Sequence, residues 1–335
     1  MTAEMITQED VNKASEKAKA LIANLDQVLF GQEELTKLTV TGLLAGGHIL
    51  LEGLPGLGKT ELVKGISQSV ALDFKRIQFT PDLLPGDITG NPLLQEKDGV
   101  REFIFQEGPI FSNIVLADEI NRASPKTQSA MLEAMQEHSV TVMGHTRPLP
   151  KPFFVLATQN PIELEGTYSL PEAQLDRFLF KLDIKQGGAE VLERIVLERE
   201  MGVPPTITES FTENELADIC QLVRRIHMPQ VVASYIARLV QATHDEKYKE
   251  LIRFGASPRA ALALATAAKA LAVIEARVHC GYKDVEALAK SVLRHRIILD
   301  YRAKLEGHTP DSIIQQILES IQVADQDLPK TLTER

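Results

Sequence analysis

Apolar residues recur at helical spacing from Val11 to Leu29 (Val11, Ala14, Ala18, Leu21, Ile22, Leu25, Val28), which predicts an amphipathic helix. A second helix is predicted through "EELTKLTVTGLLA", ending at Gly46-Gly47, a stop signal for a helix C-terminus. Five short apolar runs follow: "HILLEGL", "FKRIQFT", "NIVLADEI", "FFVLATQ" and "RFLFKLDI". Runs that are apolar almost throughout suit strands covered on both faces of a parallel sheet. The helical patterns between several of them argue for an α/β fold.

The pattern changes after Ile184. "KQGGAE" has the composition of a linker, and the remainder carries helical periodicity with no strong strand signal. Its breaks fall at "MGVPPT", "HMPQ", "FGASPRA", "GYKD" and "GHTPD". The expected organisation is an α/β domain over 1–186 and an all-α domain over 187–335. Two insertions interrupt the first. "PDLLPGDITGNPLLQEKDGVREFIFQEGPI" is rich in turns flanking short strands, and "HSVTVMGHTRPLP" alternates around Gly144 as a β-hairpin does. Function is often carried on such connections.

Composition adds limits. The 335 residues exceed the usual size of one domain, and 44% hydrophobic with 24% charged residues describes a globular chain. The formal charge of −10, from 36 basic and 46 acidic residues, weighs against a surface built for nucleic acid. Two cysteines, Cys220 and Cys280, form neither a structural zinc site nor a disulfide framework, which fits a reducing, cytoplasmic setting. The start "MTAEMITQED" lacks the features of a signal peptide, and the alanine-rich run from Ala260 is interrupted by Lys269, so no membrane span is expected.

Chemistry concentrates in three stretches. "GLPGLGKT" after a strand and before a helix matches a phosphate-binding loop: Gly53, Pro55, Gly56, Leu57, Gly58, Lys59, Thr60 and the adjoining Glu61 form the cradle. Its backbone N–H groups and the helix N-terminus attract phosphate. Lys59 is placed to reach β- and γ-phosphates, and the Thr60 hydroxyl to ligate Mg2+. "NIVLADEI" ends a strand in Asp118-Glu119, a repulsive pair unless a cation is near. Asp118 is the expected metal residue, through water, and Glu119 the residue that polarises attacking water. Asn160, at the tip of "FFVLATQN", could orient that water if its strand lies between the cradle strand and the Asp-Glu strand.

Two arginines complete the candidates. In "GASPRAAL", Ser257 is the expected N-cap and Arg259 sits in a first helical turn, where a cation is unfavourable without an anion. That motivates assigning Arg259 to the nucleotide. Arg177 precedes the last strand; it is either a local partner of Asp176 or a cation offered to a neighbour's γ-phosphate. Arg122, after the acid pair, could face a neighbouring subunit. His145 and His279 read as solvated.

These stretches, with "RIQFTPDLLPGDITG", "VLADEINRASPKTQSAMLEAMQE" and "NPIELEGTYSLPEAQLDRFLFK", resemble the MoxR family of AAA+ ATPases. The resemblance implies an αβα sandwich with a five-stranded parallel sheet and a helical lid. It implies ATP and Mg2+ as ligands, Asn160 as sensor 1, Arg177 as arginine finger and Arg259 as sensor 2. It places the two insertions as the helix-two insert and the hairpin before sensor 1. "VLFGQEEL" would border the adenine, implicating Phe30, Gly31 and Gln32 by position. It further implies a homo-oligomeric ring, six-membered in the family, a chaperone-like role on a protein client, and a partner with a von Willebrand factor A domain. "NPLLQEKDG" and "DIKQGGAE" depart from the family pattern. Two other readings of the same residues are a nucleotide switch with little turnover, which the presence of both Glu119 and Arg177 opposes, and a DNA-directed motor, which the net charge opposes.

Overall fold

The computed structural model describes residues 6–53, 56–97, 100–160, 167–184, 187–198, 207 and 211–321. Its contacts group the chain into two units, Lys19–Phe178 with Leu182–Asp218, and Met1–Ala18 with Leu179–Lys181 and Ile219–Arg335. This grouping departs from the boundary read at residue 186: residues 187–218 go with the α/β unit and 1–18 with the helical unit. Lys185 and Gln186 of the linker, and the break "MGVPPT", lie outside the described residues.

The described strands between residues 48 and 183 are β1 (His48–Glu52), β2 (Phe74–Gln78), β3 (Gly90–Lys97), β4 (Val100–Glu107), β5 (Ile114–Asp118), β6 (Ser139–Val142), β7 (His145–Pro148), β8 (Phe154–Gln159) and β9 (Phe178–Asp183). Five of them form one sheet in the order β2-β5-β8-β1-β9. The pairs β2/β5, β5/β8 and β1/β8 are parallel. All five apolar runs therefore became sheet strands, and β8 lies between β5 and β1 as the Asn160 argument required. β1 and β8 are buried along nearly their whole length, as are Ile114–Ala117 of β5. β2 is different. Lys75 and Arg76 are exposed and Ile77 is its one buried residue, because β2 is an edge strand with a neighbour on one side. The expectation of burial on both faces does not hold there.

Both insertions are hairpins. β3 and β4 pair antiparallel over eight residues each, longer than the short strands expected, after a brief helix Pro85–Thr89. β6 and β7 pair around Met143 and Gly144, both at positive φ (54° and 77°), the backbone of a tight two-residue turn. The Arg147 guanidinium of the second hairpin lies 4.1 Å from the Phe105 ring of the first, so the two insertions touch.

The other unit is mostly helical, but two short strands, β10 (Ile252–Phe254) and β11 (Ile298–Leu299), pair antiparallel in it. Three residues against two give too little periodicity for a strand signal. Its long helix, Pro258–Ile274, buries eight alanines or leucines on close-packed faces, including Ala260, Leu264, Ala267 and Ala268. Ser15 Oγ donates to Ile274 O at 2.6 Å and Gln8 Nε2 to Ala276 O at 2.8 Å, which is why the first residues of the chain group here. Burial pushes the Cys220 and Cys280 thiols up to about 11 and about 12, so neither is a reactive thiolate. Among the described residues no helix is long and apolar enough to cross a membrane.

His48 opens β1 and ties three elements together. Val155 N–H of β8 donates to its Nδ1 at 3.1 Å, so the ring proton is on Nε2, which donates to Met135 O at 3.1 Å. Burial drives the pKa down to about 4 from 6.5. Between those values the unfolded chain takes a proton that folded His48 refuses, so stability falls as pH drops through that window, by ~3 kcal/mol in all. Denaturant unfolding at pH 7 and pH 4.5 should show a larger loss in the wild type than in His48→Gln. Equal pH dependence in the two would contradict this.

Candidate nucleotide site

The phosphate loop passes from β1 into the helix Lys59–Val70, whose buried face is Leu62, Val63, Ile66 and Val70. Gly56 and Gly58 have φ of +82° and +79°, a region that side-chain-bearing residues rarely adopt. Gly58 has a second reason to be glycine. An added Cβ would stand 2.4 Å from Leu29 Cδ2, so the segment before Phe30 packs directly on the loop.

A cavity of about 390 Å³ is lined by Gly56, Gly58, Lys59, Thr60, Glu61, Arg76, Gln78, Asp118, Glu119 and Asn160. Loop, acid pair and strand-tip amide thus converge on one space. Leu57 is not among the lining residues, and Pro55 lies outside the described residues. Lys59 Nζ donates to Gly53 O at 2.5 Å. Burial holds its pKa below the ordinary lysine value, opposed by the carboxylates of Asp118, Glu119 and Glu52. Asn160 is buried at the wall.

Thr158, unremarked in the sequence, clamps the acid pair. Its hydroxyl donates to Asp118 Oδ1 at 2.7 Å and accepts from Glu119 N–H at 2.8 Å. Glu119 has φ 56° and ψ 48°, an uncommon conformation for a residue with a side chain, and that N–H bond helps hold it. A threonine in the otherwise apolar run "FFVLA" was the available signal.

Each acid also has its own arginine. Arg76 donates to Asp118 Oδ2 from Nη2 at 2.6 Å and Nε at 3.1 Å. Arg122 Nη1 donates to Glu119 Oε2 at 2.9 Å, so its guanidinium is engaged within its own chain. Gln78 Nε2 donates to the same oxygen at 2.7 Å. The repulsion within the acid pair is therefore relieved in part by protein cations, not by a metal alone.

The donor set fits a nucleotide and a hard cation. Thr60 and Asp118 offer oxygen to one cavity, and among the described residues no cluster of three or more His, Cys, Asp or Glu exists to hold a metal alone. A cation there would take its remaining ligands from phosphate and water.

The remaining candidates lie off this cavity. Phe30, Gly31 and Gln32 do not line it. Arg194 stacks on the Phe30 ring at 4.0 Å, and a Cβ on Gly31 (φ +67°) would meet Val191 Cγ2 at 2.6 Å. Arg177 Nη1 donates to Leu132 O at 2.7 Å while its buried Nε lacks an acceptor. Arg259 is exposed in the first turn of its helix, in the other unit. Ser257 occupies the N-cap position, but its side chain makes no capping bond. His145 is exposed and His279 half-buried.

A loop of this geometry, facing an acid pair two strands away, defines a P-loop nucleotide-binding protein. Residues 48–180 match the profile of the ATPase family associated with various cellular activities, and residues 246–317 that of the AAA lid domain. The chain is 43% identical to the uncharacterized protein YeaC of Bacillus subtilis, over 95% of this chain and 98% of that one. It is 40% identical to Chaperone MoxR1 of Mycobacterium tuberculosis, covering 90% and 80%. A crystal structure from Cytophaga hutchinsonii, of a protein assigned as an ATPase, superposes with a TM-score of 0.87 at 40% identity, covering 95% and 98%. The chain belongs to the MoxR family of AAA+ ATPases.

Thr158→Val keeps the shape and removes the hydroxyl, leaving Glu119 N–H and Asp118 Oδ1 without it. The expected loss is ~1–3 kcal/mol in denaturant unfolding, with Thr158→Ser recovering most of it. A valine variant as stable as wild type would show that the clamp contributes nothing.

Proposed function

We propose that the protein is a Mg2+-dependent ATPase that hydrolyses ATP to ADP and phosphate at subunit interfaces of a homo-oligomeric ring and uses the cycle to remodel or mature a protein client. The observation that carries this reading is the convergence of Lys59, Thr60, Asp118, Glu119 and Asn160 on one cavity. In it, the loop glycines and the N-terminus of the helix Lys59–Val70 bind the phosphates, and Lys59 exchanges the Gly53 carbonyl for phosphate oxygen. Bound Mg2+ would neutralise charge across the β- and γ-phosphates, held by Thr60 and, through water, Asp118. Glu119 polarises the attacking water. Asn160, anchored at the tip of β8, orients it.

The rest of the reading extends the family's pattern to this chain. The α/β unit acts as the nucleotide-binding domain and the helical unit as the lid, with Arg259 its sensor. Phe30, Gly31 and Gln32 border the adenine; the packing of Val191 and Arg194 on them adds two residues to that wall. Arg177, whose Nε lacks an acceptor, serves a neighbouring subunit. The ring is six-membered, works in the cytoplasm and acts with a partner bearing a von Willebrand factor A domain. The name of the mycobacterial relative supports the chaperone-like role.

Glu119→Gln should bind ATP with near wild-type affinity and stall, because the oxygen needed to polarise water is replaced by an amide. Wild-type turnover by this variant would move the base elsewhere. Mixing Glu119→Gln with Arg177→Ala tests the trans role, since mixed rings contain some interfaces intact on both sides. Finger arginines contribute ~10³–10⁵ in rate, so restored phosphate release should be plain. Mixed rings that form and remain inactive would refute it.

A further inference from the structure

We propose that Arg76, on the edge strand β2, is a positioning residue that competes with the divalent cation for Asp118 and, through Gln78, sets the hold on Glu119. The inference rests on the ATPase reading above and adds to it a pair of residues that the phosphate-loop motifs do not contain.

The Asp118 carboxylate offers about four lone-pair positions. Thr158 takes one on Oδ1, and the Arg76 guanidinium directs two N–H groups at Oδ2. One position is left for a metal-bound water unless Arg76 moves. The two members of the pair differ in freedom. The Asp118 side chain is 14% exposed and fixed by Thr158, whereas that of Arg76 is 48% exposed on an edge strand. Arg76 is therefore the partner that yields.

Its departure has a second effect. Arg76 Nη2 also donates to Gln78 Oε1 at 2.5 Å, and Gln78 Nε2 donates to Glu119 Oε2 at 2.7 Å. With its oxygen committed to Arg76, the Gln78 amide can present only its nitrogen to Glu119. Once Arg76 leaves Asp118, nothing in this chain of bonds fixes the amide in that orientation, and the carboxylate loses one of its two donors. Metal occupancy at Asp118 is in this way coupled to the freedom of the water-polarising Glu119 across three side chains.

The sign of the effect follows from what each group keeps. Removing Arg76 leaves Asp118 still oriented by Thr158, so preorganisation survives while a competing cation is lost. The metal should then bind more tightly. The test measures the Mg2+ concentration that gives half-maximal binding of a fluorescent, slowly hydrolysed ATP analogue to the full-length protein, by anisotropy. Arg76→Met, which keeps the apolar stem, should lower that concentration about fivefold, the scale of a partly exposed charge pair. Arg76→Lys, which keeps the charge, should stay near the wild type and so serve as the control for folding. An unchanged or raised half-saturation in Arg76→Met overturns the inference, as does a lysine variant that shifts as far as the methionine one. Wild-type protein that fails to bind the analogue at all would instead overturn the ATPase reading.

Discussion

The placement of β8 between β5 and β1 is the constraint on which the site depends. Neighbouring strands stand ~4.8 Å apart, so one intervening strand separates the acid pair from the phosphate loop by roughly 10 Å. That gap is wide enough for phosphate, a hydrated cation and an attacking water. On its near side the Lys59 ammonium donates to the Gly53 carbonyl. β8 also furnishes the parts that fill the gap. Thr158 fastens the acid pair laterally, and Asn160 projects at the strand tip. A different strand order would bring the same residues together in no useful arrangement.

Charge balance is the second constraint. A chain of formal charge −10 has to attract a polyanionic ligand. It does so locally, with Lys59 in the cavity wall and backbone N–H groups at a helix N-terminus. The acids are tolerated beside one another because each is tied to a guanidinium. Burial that lowers the Lys59 pKa is opposed by those same carboxylates.

Much of this was legible along the chain. The phosphate loop, Asp118-Glu119, Asn160 and the five sheet strands are local patterns, and the interposed strand followed from what Asn160 had to do. Residues that act through lateral register were not. Thr158 matters because it stands beside Asp118 on the next strand, and Arg76 and Gln78 because β2 runs parallel to β5 with Gln78 opposite Asp118. Register of that kind is set by the packed sheet. A trace of it was present: "FKRIQ" is less apolar than the other strand runs, as suits an edge, and two of its polar residues, Arg76 and Gln78, are those that reach the acids. Leu29 was hidden for a like reason, since only the folded chain presses it against Gly58. The strand pair β10/β11 is too short to leave a periodic signal.

Every role assigned to the cavity residues depends on hydrolysis taking place there. The direct measurement is steady-state phosphate release from ATP by the purified wild-type protein, with Mg2+ and with the metal chelated. Turnover in Mg2+ that disappears on chelation is the result expected of Thr60, Asp118 and Glu119 working on one bound nucleotide. ATP bound firmly at the loop, with no phosphate released in Mg2+ at any protein concentration, would contradict it.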